Sequence, residues 1–396
     1  MRVSRAALTC LMGAAAVSAG ALVPAVAAVT APPPSDGSSG SFDAQFGSGA
    51  TAYGGLSYWS LDTGQVVTTQ GAVAFTVPFK TIKWNGQTVH AYDFSSLSVE
   101  QTIHLTLYGA TPAVLVSQGD INIAGQFIFS NTKIAGGIPS TGTNNDYNGG
   151  HGQGTGGGGG GAGPGGQEET TCGPGSFSGS GGGGGGNYAR GSGGRRNYVP
   201  SNIGNDQLPT YAGGAGGYKE NTNVLQGGGG GAAGGGGSYN GDYYGGSPGG
   251  NGGGAVAFST PGNLILTNTA VLNATGGAGG GASGVNGGSG GGAGGAVWLF
   301  ATQSVSNAGQ ILANGGAGST LLLQKSTCTS KPLVMGPNGG NGSGGVLFIS
   351  SPAIANSGTI NLSGGNGAAT PNGGLLNAKG VPISNTGSII GAAKTE

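Results

Sequence analysis

In the C-terminal third of the chain, apolar residues fall two apart in short runs, and each run follows a Gly-Gly pair. One copy begins Gly253-Gly254-Ala255-Val256-Ala257-Phe258 and continues to Ala270-Val271-Leu272-Asn273. The next opens at Gly294-Gly295-Ala296-Val297-Trp298-Leu299, a third at Gly344-Gly345-Val346-Leu347-Phe348-Ile349, and a shortened fourth at Gly373-Gly374. Period-two spacing is that of a strand with one side buried. Val256, Val297, Leu347 and Leu376 make one column, and Phe258, Leu299, Ile349 and Ala378 the next. Leu266, Val305, Ile354 and Ile383 are aligned in a middle strand, and Leu272, Ile311, Ile360 and Ile389 in a last one. Three short strands cannot bury a core alone, but like faces stacked about 4.8 Å apart can. The pattern predicts an all-β chain, a parallel β-helix or β-solenoid.

A polar column accompanies the apolar ones. Asn268, Asn307, Asn356 and Asn385 each stand two residues after the middle-strand position. Stacked amides satisfy one another where single buried amides would cost a few kcal/mol each, so the column is read as an asparagine ladder; a ligand-binding row of amides is the alternative. Upstream, 112–117, 121–123 and 125–130 repeat the three-strand order. Ile103, Leu105 and Leu107 alternate with His104, Thr106 and Tyr108, and Tyr92 to Val99 forms another strand and bend. The segment 42–110 therefore serves as an N-terminal β cap and first rung, 111–140 as a solenoid rung and 253–391 as the later rungs, followed by a tail at 392–396.

Composition then explains what separates these blocks. The chain has 396 residues, 97 of them glycine, with 13 basic and 13 acidic residues. That much glycine with so little charge excludes an ordinary helix-rich enzyme domain, and the absence of a sustained triplet excludes collagen. Residues 141–254 alone hold 48 glycines, so the Gly-rich insertion at 141–252 has no core of its own. Two states are open to it: disorder, or extended polyproline-II-like packing, which Gly281, Gly284, Gly287 and Gly290 suggest by recurring every third residue.

Met1 to Arg5 carries two arginines, an Ala-rich apolar stretch follows, and Ala25-Val26-Ala27 has the small-x-small form of a signal peptidase site. The reading is a signal peptide at 1–27, a Pro/Ser/Gly-rich linker at 28–41, a secreted or cell-surface location and no transmembrane segment after processing. Removal of Arg2 and Arg5 leaves 11 basic against 13 acidic residues, a net charge near minus 2, which argues against nucleic acid as a partner. Cys172 and Cys328 are then a disulfide candidate, with two free thiols as the alternative. Tyr188, Arg195, Arg196, Tyr198, Tyr243 and Tyr244 interrupt the glycine and are candidates for surface binding by stacking.

The search for catalysis returns little. No Asp or Glu lies between Asp242 and Glu396, so acid/base glycosidase chemistry and acidic calcium sites have no residues there. His90, His104 and His151 lack partners at ligand spacing, and no metal or cofactor is called for. Asp93 and Glu100 near His90 can be assembled into an active site on paper, as can any three polar residues.

The Val-Leu-Val-Ser-x-Gly-Asp-Ile-x-Ile-x-Gly-x-Phe segment at 114–127, the poly-Gly insertion and the Gly-Gly-Ala-Val-Trp-Leu rung resemble glycine-rich β-helix proteins secreted by bacteria. Asn-Ser-Gly-Thr-Ile-Asn-Leu-Ser-Gly at 356–364 resembles the haemagglutinin-type adhesin solenoids. The resemblance implies a surface or matrix component. The expected function is non-enzymatic adhesion or self-association, with polysaccharide, a cell surface or the chain itself as partner. A carbohydrate-active β-helix enzyme is the alternative, followed by an ice- or crystal-surface-binding protein.

Overall fold

The computed structural model describes residues 29–42, 57–68, 71–130, 186–187, 189, 191–192, 224–232, 234, 237–239, 242–244, 249–280, 288–319, 339–367 and 373–395. These are nearly all β, with one short 3-10 turn at Gly365–Gly367. Parallel strands form a curled sheet in three ladders. In the first ladder Ala113–Ser117 is followed by Ala255–Thr260, Ala296–Ala301, Val346–Ser350 and Gly374–Asn377; in the second, Ile121–Ile123 is followed by Asn263–Leu266, Ser304–Asn307, Ile354–Asn356 and Ile383–Asn385. The third runs through His104–Tyr108, Gln126–Ser130, Val271–Asn273, Gln310–Leu312, Thr359–Asn361 and Ser388–Ile390. The first two are joined by one strand of 13 residues, Gln87–Val99, which pairs with Ala113–Ser117 along one half and with Ile121–Ile123 along the other.

Register follows the sequence columns in two ladders. Val256 pairs with Val297, Val297 with Leu347 and Leu347 with Leu376. Leu272, Ile311, Ile360 and Ile389 pair in succession. Side chains from all three ladders, among them Val297, Val305 and Ile311, belong to one buried core. The middle ladder corrects the expectation. Val305 pairs with Leu264, and Leu266 pairs with Asn307, so the column is Leu264, Val305, Ile354, Ile383. The cause is turn length: the first copy spends four residues, Thr267 to Ala270, between its middle and last strands, whereas later copies spend two, such as Ala308 and Gly309.

The outer side of the first ladder is apolar as well. Ala257, Trp298, Phe300 and Phe348 point away from the main core, yet all are buried, and they form a second cluster with Trp84, Val29 and Leu225. Trp84 stands at the tip of the hairpin Lys80–Trp84/Gln87–Val99, with its ring 5.4 Å from that of Trp298 and 5.7 Å from that of Phe300. The segment expected to be a linker also docks. Trp84 Nε1 donates to Thr30 O at 3.0 Å, Gly40–Ser41 adds a short strand beside Phe94 and Ser96, and Phe42 is fully buried against Phe94 and Phe127. At the far end, the expected tail forms strand Ala392–Thr395 on Gly374–Asn377.

Much of the described glycine sequence packs as extended chains. Along 290–295 successive N–H groups rotate among three neighbours at 2.7–2.9 Å. Gly290 and Ala293 donate to Ala232 and Gly229, Gly291 and Gly294 to Gly340 and Ser343, and Gly292 and Gly295 to Gly277 and Ala274. A three-residue rotation is that of a polyproline-II-like helix, which has no hydrogen bonds of its own and offers every main-chain group to a neighbour. Packing this close excludes a β-carbon: one added at Gly316 would lie 1.9 Å from Gly277 O. Some residues larger than glycine stand where a chain turns outward, Ala278 exposed and Thr275, Asn314 and Ala317 half-buried, whereas Ala232, Ala293, Asn251 and Ser289 are buried inside the array. Gly290 belongs to this array; Gly281, Gly284 and Gly287 lie outside the described residues.

Candidate functional site

Two polar clusters lie at the amino-terminal end. In the first, the turn Ser35-Asp36-Gly37-Ser38 is closed by Ser38 N donating to Asp36 Oδ1 at 3.0 Å, with Gly37 at φ 74°. This turn brings Asp36 against Lys80, whose Nζ is also 3.3 Å from Asp93 Oδ2. The main chain clamps the same place: Ser39 N donates to Asp93 O and Asp93 N to Ser39 Oγ, both at 2.8 Å. The hydrogen bond from Lys80 holds the Asp36 carboxyl below the usual carboxylate range and raises the lysine in turn. Burial outweighs the same lysine at Asp93 and pushes its carboxyl up. One cation facing two carboxylates of opposite tendency fastens the 29–42 segment to the long strand.

In the second cluster, His90 Nδ1 and the Tyr92 hydroxyl both reach Leu61 O, at 2.7 and 2.9 Å, so Nδ1 carries the proton. Asp62 accepts from Ala110 N at 2.7 Å and Thr111 N at 3.0 Å, and its Oδ1 is 4.0 Å from His90 Nδ1. Burial pushes the Tyr92 hydroxyl upward, so it remains a donor. The set Asp93, Glu100 and His90 is not assembled. His90 and Asp93 are three apart on one strand and face opposite ways, His90 onto the Phe79 ring at 4.5 Å and Asp93 onto Lys80. Glu100 is exposed at the following turn, where its carbonyl accepts from Ile103 N at 3.0 Å. Asp36, Lys80 and Asp62 escaped the sequence reading because the contact of Asp36 with Lys80 and those of Asp62 with Ala110 and Thr111 span 44 to 49 residues; the Ser-Asp-Gly-Ser turn was the one local signal.

The asparagine column contains three members. Asn307 Nδ2 donates to Asn356 Oδ1 and Asn356 Nδ2 to Asn385 Oδ1, each at 2.7 Å, while Asn307 Oδ1 accepts from Gly309 N at 3.1 Å. Asn307 and Asn356 are buried, and the amide chain satisfies them. Asn268 stands outside it, in the longer turn of the first copy; fully buried Leu266 takes the place beside Asn307.

Tyr243 and Tyr244 lie in a two-stranded antiparallel hairpin, Gly237–Tyr239 with Asp242–Tyr244. Tyr188, Arg195, Arg196, Tyr198, Cys172, Cys328 and His151 lie outside the described residues, as does the segment 1–28. Among the described residues there is no group of three His, Cys, Asp or Glu placed to hold a metal, and no helix long and apolar enough to cross a membrane. The outer side of the third ladder, half-buried to exposed, presents His104, Gln126, Val271, Gln310, Thr359 and Ser388 in one row. The adjoining row is Thr106, Ile128, Asn273, Leu312, Asn361 and Ile390, and neither row contains Asp, Glu, Lys or Arg. No protein family, curated protein or solved structure matches the chain.

Proposed function

We propose that the three ladders close into a parallel β-helix, buttressed by the polyglycine array, and that the chain is an exported, non-enzymatic surface or matrix protein acting by adhesion or self-association. The observation that carries this reading is the residue-over-residue register, Val297 on Leu347 and Ile311 on Ile360, which sets uncharged outward residues in continuous rows. Such rows offer many weak, repeated contacts in place of one pocket, which is the geometry of a multivalent surface. The signal peptide, the Tyr/Arg-bearing loops and the near-zero charge belong to the same proposal, as does a polysaccharide or cell-surface partner.

The test is a glycan and whole-cell binding screen on the mature chain, beside a variant with Tyr188, Arg195, Arg196, Tyr198, Tyr243 and Tyr244 replaced by serine. Binding without turnover that weakens in the variant is expected. Release of new reducing or unsaturated ends from the bound polysaccharide would refute the non-enzymatic reading.

A further inference from the structure

Residues 29–35 show a three-residue rhythm of burial. Val29 and Pro32 are buried and Ser35 is half-buried, while the places between them are exposed. Pro32, Pro33 and Pro34 hold φ at about −65° and have no N–H to give a sheet, so the stretch is an extended polyproline-II strap with one edge turned inward. At one end of the strap Asp36 meets Lys80, Ser35 Oγ donates to Phe94 O at 2.8 Å, and Gly40–Ser41 pairs with Gln87–Val99. Towards the other end Thr30 O accepts from Trp84 Nε1 at 3.0 Å, and the Thr30 hydroxyl donates to Asn85 Oδ1 at 2.9 Å. Val29 O then accepts from Lys379 Nζ at 3.3 Å, in the turn after Gly374–Asn377, where Asn377 Oδ1 holds Lys379 N at 2.8 Å. The Val29 side chain belongs to the same outer cluster as Leu375. Four strands of the first ladder lie between Gln87–Val99 and Gly374–Asn377, a height of about 24 Å. From Val29 to Asp36 an extended strap covers about 22 Å, enough to run that height.

In a stacked chain each copy touches only its neighbours, so one copy can open without the rest. A strap that touches both the fourth copy and the amino-terminal strands removes that freedom. We infer that residues 29–42 are a latch, which couples the opening of Gly374–Asn377 to the lifting of the strap from Lys80 and Trp84. The coupling is reciprocal, because contacts broken in one movement bias each other by the same factor. The strap suits this part. Its prolines pre-set its shape, so little chain entropy is lost when it docks. Its anchors along 29–36 are single side chains, Lys80, Trp84 and Lys379 among them, so it can part from the ladder without breaking a hydrogen bond between the copies. The latch is independent of what the outer surface binds.

Native-state hydrogen exchange on the full-length chain, read residue by residue in low denaturant, tests it. Two reporters are the Trp84 indole N–H, bonded to Thr30 O, and the Leu375 amide, bonded to Gly345 O at 3.0 Å. In the unmodified chain they should share one opening, with equal free energy and equal denaturant dependence, below that of the third-ladder amides of Gln310 and Thr359. Pro32→Lys with Lys80→Ala alters the strap and the hairpin alone. It should speed exchange at Leu375 by about tenfold or more and leave Gln310 and Thr359 unchanged. Unequal openings of Trp84 and Leu375 in the unmodified chain overturn the latch, as does exchange at Leu375 indifferent to the two substitutions. Equal acceleration at Leu375, Gln310 and Thr359 overturns it too, since that is a loss of stability shared by the whole stack. The comparison within the unmodified chain needs no variant, so it decides the matter even where the substituted chain does not fold.

Discussion

Alanine at Gly316 is the sharpest probe of the glycine array. The position has no left-handed backbone, so on conformational grounds the substitution should stabilise the chain by about 0.4–1 kcal/mol through the unfolded state. Its surroundings oppose this. The new β-carbon would stand 1.9 Å from Gly277 O and 2.4 Å from Gly277 C, where carbon and oxygen need roughly 3.3 Å or more. Both partners are main chain, so the extended segments must part by more than about 1 Å. That separation strains the bonds Gly316 N→Gly292 O at 2.7 Å and Gly342 N→Gly316 O at 2.9 Å. Two backbone hydrogen bonds at about 1 kcal/mol each, plus a buried group left unpaired, set the net cost at about 2–4 kcal/mol. Gly119→Ala is the control, since nothing lies within 4 Å of its added β-carbon and its φ is not positive. Urea titration of the two variants, with amide exchange followed at Gly316 and Gly342, decides the matter. Equal stabilisation by both substitutions would refute close main-chain packing as the reason for glycine here.

Two further outcomes follow from the polar groups. Asn356→Ala removes the middle amide and strands Asn307 Nδ2 in a buried place, so it should cost about 1–3 kcal/mol, whereas Asn385→Ala at the exposed end should cost less; denaturant midpoints give the comparison. Asp93 has a folded-state pKa raised by burial, so the folded chain holds that proton more tightly than the unfolded one; its contribution is fully present below the unfolded Asp value near 3.9 and is lost as pH rises through the folded value. Asp36 has the opposite sign, its contribution being lost as pH falls through its lowered value. Asp93→Asn should therefore raise the melting temperature at neutral pH and leave it near the wild-type value below about pH 4, a difference that a series of thermal scans against pH measures.

The first and last ladders were legible because Val256, Val297, Leu347 and Leu376 keep a fixed distance from their Gly-Gly pairs, and Ile311, Ile360 and Ile389 repeat the pattern. Asn268 was misplaced because counting from one strand to the next assumes equal turns, and the first copy has two extra residues there. The outer cluster was missed for a different reason. Ala-Val-Trp-Leu-Phe-Ala at 296–301 is apolar at every position, the mark of a strand buried on both sides, but a search for alternation keeps only Val297 and Leu299. What covers Trp298 is Trp84, more than two hundred residues earlier, and no local pattern announces that contact. The Asp36–Lys80–Asp93 cluster is long-range in the same way: its members come from a turn, a hairpin edge and a corner-crossing strand.

The glycine array also separates what holds the molecule together from what it shows to its surroundings. Main-chain groups do most of the holding, so outward places such as Ala278 and Ala317 answer to little structural demand beyond solvation. Such places behave like sockets on a board: the wiring beneath is invariant, and the part plugged into each socket is free to vary. Selection, or a designer's library, can rewrite the legend on that face one residue at a time without disturbing the frame that carries it.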